Sequence, residues 1–561
     1  MDLKGLLYSQ IGYELDDDKR ALIRSTNEKE LSGEAVFKVY DYTTKKCICT
    51  GRVGYWGEKW GSFWWAADFS AVMEEGSFTI EIIDDGSVKF ASEDFRIGKN
   101  ILWDETIDTV ALEQFEARVE ASRYKIGWKD CGSDWREVNS HATAVIGLCD
   151  MLDKCYDFLS GSQIGRLVNQ MVHGCDYIAR CQDRAHAIGH PKGAIVHEMP
   201  NQMTVIPGDI IQSCVAFSWI SRLTADLNEE KSIEYYARAV DAYEYIIDHM
   251  KPYGRDCFGG SNHGAPQGFE TPDEFMTRDI LMMMWAGESL WAAGKTECKQ
   301  KVIDWAQEVM ARQVKKENAQ GGLYGHFYTF GSCDFTEKAN IHHHVGHDTG
   351  GTFPFYILPF MNILTRWYDH IYAGKWKETI NDFAYGFFLP ACRSNPFYLL
   401  PEGYFNGEGL LNFCGPWHGM NTSIAFGASL ALQLFKFTGD KAFRSIATGN
   451  IQWIAGLNSG IHSESFESCY VWKEDIPEGI VLPFSQIYGF GKRFTGNWSG
   501  IKGTIPNGFA NCSQFKFDVE PKLRNDIPLR YTDEDWIPHS AGWISCISHL
   551  LESRFNYIDR N

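Results

Sequence analysis

From about residue 105 to the end, the chain carries helical periodicity in one stretch after another. Candidate helices begin near residues 106, 139, 161, 210, 231, 273, 298, 353, 375, 420, 440 and 540. In each, apolar residues recur on one face, as in KAFRSIATGNIQWIAGL after Asp440. Thr271-Pro272-Asp273-Glu274 reads as a start signal: a capping residue, a proline at the first helical position and a glutamate at the third. About twelve helices in sequence make six helical hairpins. Such hairpins can close into an α/α toroid, whose connecting loops build a cleft at one end. The alternative is a repeat solenoid, but no fixed sequence period is apparent.

The first hundred residues have another pattern. SQIGYEL, KRALIRS, AVFKVYDY, GSFTIEIID and KFASEDFRIG are rich in β-branched and aromatic residues, with turn residues at Asp16–Asp18 and Gly76–Ser77. Short strands at this spacing predict an immunoglobulin-type β-sandwich that serves the next domain as a lid or brace.

The composition narrows the partners. Against 53 basic residues stand 73 acidic ones, a formal charge of −20. Such a surface disfavours nucleic acid and anionic lipid and tolerates neutral or cationic ligands. No run of about twenty apolar residues is present, so no membrane span is expected. The start, MDLKGLLYSQIGYELDDDKR, has no basic segment followed by a long apolar one. The 16 cysteines are scattered, some inside helical patterns (Cys149, Cys155), without a CxxC pair. Free thiols and a cytoplasmic location are expected. Aromatics make up 14% of the chain, with 19 Trp. They serve either a large aromatic core or platforms for the C–H faces of sugars.

Long Gly-, Asn- and aromatic-rich loops separate the helices at 186–208, 252–272, 318–352, 393–419 and 457–535. Segments of this length in a compact domain are often functional. Just before a long apolar helix, GWKDCGSDW places Asp130 and Asp134 four residues apart, between Trp128 and Trp135. Two carboxylates this close can hold one water and take its proton; the plainer reading is a turn and a helix cap. Glu534, in YTDEDWIPHSAGW between Tyr531 and Trp536, is either a residue favouring a helix dipole or an acid kept protonated by an apolar setting. The cluster IHHHVGHDTGG offers His342, His343, His344, His347 and Asp348 for substrate contact or for a metal. Its spacing is not HExxH, and neither a metal nor another cofactor is assigned. His197-Glu198 and Trp417-His418 are weaker candidates of the same kind.

Set side by side, these segments resemble glycoside hydrolase family 9. LLYSQIGYELDDDKRALI resembles the family's opening NQvGYlPdapKrAvi, and GWKDCGSDW its base loop GGWyDAGDy. WHGMNTSIAFGASLALQLFKFTGDKAFRSIATGNIQWIAGLN resembles the late helical pair ending in a GxNP-like turn. GTIPNGFANC is similar to the glycine-proline-asparagine segment. DEDWIPHSA lines up without a gap on NEvaIdYNA, with Glu534 at the place of the acid. The motifs follow in the family's order across nearly the whole chain.

The resemblance implies a mostly α fold, an (α/α)6 barrel over 105–561 preceded by a small immunoglobulin-like β-sandwich over 1–100. It implies hydrolysis of β-glycosidic bonds with inversion. Asp134 is then the general base, Asp130 helps hold the water, and Glu534 is the general acid, with about 6.5–9.5 Å between acid and base. Expected substrate contacts are Trp128, Trp135, His344, His347, Asp348, Trp417, His418, Tyr531, Trp536 and His539. The departures point away from an ordinary cellulase. DCGSD spaces its aspartates by four where DAGD has three. RFTGNWSGIK stands where many family cellulases carry a His-Arg dyad. His539 and Ser540 replace Tyr-Asn. These features resemble a divergent, exo-acting branch that includes β-glucosaminidases, taking β-1,4-linked gluco- or glucosamine-oligosaccharides. A carboxylate for an amino group would come from Glu402, Glu408 or Asp348. Endo-acting cellulase activity is one alternative. An α/α-toroid polysaccharide lyase using Tyr324 and the histidine cluster is a second, and a non-catalytic sugar-binding protein a third.

Overall fold

Ten short strands precede the first helix: β1 (Lys4–Leu7), β2 (Tyr13–Glu14), β3 (Arg20–Ser25), β4 (Val36–Asp41), β5 (Cys47–Arg52), β6 (Gly54–Lys59), β7 (Ser62–Asp68), β8 (Gly76–Asp84), β9 (Ser87–Ala91) and β10 (Phe95–Gly98). The computed structural model describes residues 2–252, 273–319, 321–328, 331, 341–342, 357–401, 403–405, 409–413, 420–463, 465, 476–510, 528 and 530–558. One sheet has the order β1-β3-β7-β6, the other β2-β10-β8-β4-β5 with β9 beside β8. In β8, Phe78, Ile80 and Ile82 are buried while their neighbours are half-buried, the alternation of a strand facing a core on one side. Tyr13, Ile23, Phe37, Val39, Trp65 and Phe69 complete the sandwich core.

The sequence reading does not anticipate β5, β6 and β7. Glycines 51, 54, 57 and 61 and the tryptophan run of β7 hide their alternation. Gly76–Ser77, expected as a turn, instead opens β8. Residues such as Leu7, Leu22, Trp60 and Trp64 belong to the barrel core, so one sheet is buried on both faces. Main-chain bonds from Lys4 N to Gly479 O and from Val481 N to Lys4 O, both 2.8 Å, stitch β1 to the helical part. Ion pairs Arg444–Asp17 (2.5 Å) and Arg554–Glu14 (2.8 Å) add to the joint. The sandwich braces the barrel's flank.

The helices are α1 (Ile101–Asp108), α2 (Gln114–Ala121), α3 (Val138–Cys155), α4 (Gly161–Ala187), α5 (Pro207–Leu223), α6 (Glu229–His249), α7 (Thr277–Ala292), α8 (Cys298–Ala311), α9 (Leu358–Arg366), α10 (Ala373–Asn381), α11 (Leu389–Cys392), α12 (Asn421–Thr438), α13 (Lys441–Ala455) and α14 (Ile537–Ile558). A π-helical turn, Thr109–Glu113, joins α1 and α2 into one continuous helix. A second, Asp382–Phe388, joins α10 and α11. In α3, α5, α7 and α12 nearly every residue is buried, as in an inner ring. α4, α6 and α8 bury a stripe and expose the rest, as in an outer ring. Around the inside, α3 packs on α5, α5 on α7, α7 on α9, α12 on α14, and α14 back on α3. That last contact closes the barrel between the first and last inner helices. It is tight: a Cβ on Gly147 of α3 would come within 2.6 Å of Ala541 O.

The start signal at 271–274 is displaced. Thr271 and Pro272 lie outside the described residues. Glu274 does not cap a helix; it pairs with Arg312 at 3.2 Å, and α7 begins at Thr277. Cys149 and Cys155 are buried free thiols. Among the described residues no helix is long and apolar enough to cross a membrane.

Candidate active site

The Asp130 loop precedes α3 and is anchored from behind. Gly127 has φ +70°, and a Cβ there would meet His141 Nε2 at 2.7 Å, which explains the glycine. The Trp128 main-chain N–H donates to that nitrogen at 2.8 Å, so His141 Nδ1 carries the proton and donates to Glu137 O at 2.7 Å. Burial keeps His141 neutral, down to about 3. The Trp128 indole lies inside the barrel, edge-on to Phe115 and stacked on His141, with Nε1 donating to Gln170 at 2.9 Å. It therefore cannot offer a face to a sugar as expected; it is the peg on which the loop hangs. Asp130 N donates to Trp135 O at 3.2 Å and closes the DCGSD turn.

The acid segment lies directly against this loop. Ile537 N donates to Asp130 O at 2.9 Å. Beneath both, the fully buried Arg118 of α2 donates to Lys129 O (2.8 Å), Asp130 O (3.0 Å) and Asp535 O (2.8 Å), and pairs with the Asp535 carboxylate at 3.5 Å. Ser499 N also donates to Asp535 at 3.1 Å. Trp498 donates through Nε1 to Asp533 at 2.8 Å. A Cβ on Gly132 would stand 2.3 Å from Trp498 Cβ, so this glycine lets the two loops touch. Trp498 is 47% exposed and Trp135 39% exposed, and they are the aromatic surfaces these loops present to solvent. The sequence reading marks the segment of Trp498, RFTGNWSGIK, only for lacking a His-Arg dyad and does not single out the tryptophan itself.

Glu534 is aimed by a chain of hydrogen bonds. His539 is buried and neutral, pushed down to about 3. Its Nδ1 accepts from Thr422 and its Nε2 donates to Asn507 Oδ1 at 2.7 Å. That fixes the Asn507 amide so that Nδ2 donates to Glu534 Oε2 at 3.2 Å, while Asn507 N donates to Glu534 O at 2.8 Å. His539 thus holds Asn507 and does not reach substrate. Burial, and then the charge of Glu137, push Glu534 up to about 7. The same two causes push Asp130 up to about 8. Its Oδ2 accepts from Glu137 N at 3.3 Å, and its Oδ1 meets no hydrogen-bonding partner among the described residues. The Cys131 thiol contacts both carboxyls.

Glu137 is the carboxylate that sequence reasoning missed. Its Oε2 accepts from Trp536 Nε1 at 3.1 Å. Its Oε1 is 3.5 Å from Nε2 of His197, whose Nδ1 bonds Asp209 at 2.8 Å. Burial works against a charge on His197, but Asp209 and Glu137 outweigh it and raise it to about 10. Glu198 turns away, accepting from Asn201 N and Gln202 N. Asp134 is exposed at the loop's outer limb. Tyr531 is buried edge-on against Phe484 and Phe509, away from the substrate role expected of it. His343, His344, His347, Asp348, Glu402, Glu408, Trp417 and His418 lie outside the described residues, and His342 is described only as strand backbone.

Comparisons with known proteins place this geometry. Residues 7–87 match the model of the cellulase N-terminal Ig-like domain. No curated protein matches the chain in sequence. A metagenome-derived glycoside hydrolase family 9 endoglucanase superposes with a TM-score of 0.65 at 14% identity, over 97% of this chain and 98% of its own. A Bacteroides ovatus family 9 protein gives 0.62 at 13%, over 98% and 99%. A single mutant of a thermostable endoglucanase from Alicyclobacillus acidocaldarius gives 0.61 at 13%, over 98% and 99%. The fold is that of these proteins. An immunoglobulin-like module precedes a mostly helical (α/α)6 barrel, as the sequence led us to expect.

Proposed function

We propose that the chain is an inverting β-glycoside hydrolase that cuts β-1,4-linked gluco- or glucosamine-oligosaccharides from their ends. One observation carries the reading: Glu534, raised to about 7, is fastened through the main chain and Arg118 to the loop that bears Asp130 and Asp134. A carboxyl in that range keeps its proton near neutrality and can give it to a leaving glycosidic oxygen. Asn507 donates to its Oε2 and the Cys131 thiol also bonds the carboxyl, so the group is held in place as it carries that proton.

On the other side of the bond, Asp134 takes a proton from a water that Asp130 helps to hold through its unpartnered Oδ1. The water attacks the anomeric carbon as the bond to the leaving oxygen breaks, so configuration inverts. Trp135 and Trp498 offer stacking surfaces at the mouth. The fold shared with family 9 endoglucanases supports hydrolase chemistry and also favours an endo-acting alternative. The exo reading rests on the lengthened DCGSD loop and the replaced dyad.

Chromogenic β-glycosides and short cello- and chitosan-oligosaccharides, with product anomers followed by NMR, test both. Asp134→Ala and Glu534→Ala should each abolish turnover in a folded protein. Wild-type-like rates in either variant sink the assignment of that residue. Random internal cleavage of long oligomers replaces the exo reading with the endo one.

A further inference from the structure

The proposed hydrolysis uses Asp130, Asp134 and Glu534 and has no task for a fourth carboxylate, yet Glu137 is built into this site with care. It occupies the position before the first residue of α3, where a side chain usually caps the helix. Its own makes no capping bond. Ser140 N, a usual partner of such a cap, donates instead to Asn139 Oδ1 at 2.6 Å, and Val138 N to His197 O at 2.9 Å, which leaves the Glu137 carboxylate for other work. One oxygen receives the indole N–H of Trp536, two residues beyond Glu534. The other lies against the buried His197, itself locked to the buried Asp209. The side chain retains only 14% of its exposure, and the α3 N-terminus favours its negative charge.

We propose that Glu137 is a positioning residue for the general acid: braced from behind by the His197–Asp209 pair, it holds Trp536 and keeps a fixed negative charge beside Glu534. The role in turnover rests on the hydrolase reading; the placement of the charge does not. The groups facing Glu534 are Glu137 from the start of α3, Asp130 and Cys131 from the DCGSD loop, Asn507 from the preceding segment, and Asp535 on its own. Asp535 is paired with Arg118, and Cys131 and Asn507 act as hydrogen-bond donors to Glu534. Glu137 is thus the neighbour that most opposes a negative charge on Glu534. Its own counter-charge, His197, is shared with Asp209 on the far side.

The test is a carbon-13 carboxyl NMR titration of glutamate-labelled protein, with the Glu534 signal assigned by its loss in Glu534→Gln. In Glu137→Gln the amide oxygen still receives Trp536, but the charge is gone. The Glu534 midpoint should fall by about one pH unit. Glu137→Asp keeps the charge and should hold the midpoint near that of the wild type. Trp536→Phe frees the carboxylate and should move the midpoint down by less, and it decides the matter if Glu137→Gln does not fold. An unmoved midpoint in Glu137→Gln, or in Trp536→Phe where that variant decides, overturns the proposal. The alkaline limb of kcat/KM should move with the midpoint. A shifted midpoint in a protein without glycosidase activity upholds the placement of the charge and defeats the hydrolase reading alone.

Discussion

Glu534→Gln should abolish the proposed glycosidase activity and stabilise the protein. The carboxyl of Glu534 is raised from 4.5 to about 7, by burial first and by Glu137 second. The folded protein therefore binds this proton more tightly than the unfolded chain. Below about pH 4.5 both states are protonated and the stabilisation is fully present. As pH rises through 7 the folded state must also ionise, in a site that disfavours the charge, and the stabilisation is lost. A rise of that size corresponds to ~3 kcal/mol across the window. Glutamine has the same shape, can accept from Asn507 Nδ2 with its oxygen, and carries no charge at any pH. At pH 8 the variant should be more stable than the wild type by ~2–3 kcal/mol, and at pH 5 by well under half of that. Removing the charge also eases the burden on Asp130, which acts in the same direction. Urea unfolding at pH 5 and pH 8, followed by tryptophan fluorescence, measures the difference. A variant less stable than the wild type at pH 8, or an advantage that does not grow between pH 5 and pH 8, refutes the reasoning.

Arg118→Met should cost about 3–5 kcal/mol, since it strands the buried Asp535 carboxylate. The double variant Arg118→Met/Asp535→Asn should be milder than the single one in the same urea assay, because no unpaired charge is left. Gly132→Ala puts a methyl 2.3 Å from Trp498 Cβ and about 3.1 Å from its main chain, which cannot yield as a flexible side chain would. It should drive the DCGSD loop from the Trp498 loop, with kcat reduced about 10-fold or more and about 1–3 kcal/mol of stability lost.

The helical half of the fold was legible because its signal is long. Each of the twelve expected helix starts lies within about five residues of an observed one, and errors fall where start chemistry misleads, as at 271–274. Part of the sandwich was hidden because glycines 51, 54, 57 and 61 and the Trp64-Trp65 run mask the alternation of β5 to β7. At the site, the residues on motif positions could be found: Asp130, Glu534 and the Asn507 segment. His197 was only a weak candidate, and Glu137 and Asp209 could not be found, because the three lie in separate segments and no spacing joins them. Trp128, Tyr531, Trp536 and His539 were expected to face a sugar. All four are buried, and three of them are fixed by hydrogen bonds that only the folded chain displays.

The separation of Asp130 and Glu534 along the chain has a structural meaning. One precedes α3 and the other precedes α14, the first and last inner helices, and these two helices close the barrel on each other. The site therefore sits on the closing seam. Arg118, Ile537 N and the α3–α14 contact serve the seam and the site together. Ser545 of α14 reaches Asp150 of α3 at 2.6 Å further along the same line. A carboxyl held by groups that also close the barrel cannot drift without opening the fold. This suits a reaction that tolerates little error in the spacing of acid and water. The close approach at Gly147 belongs to the same design, since any side chain there would part α3 from α14 and carry Asp130 away from Glu534.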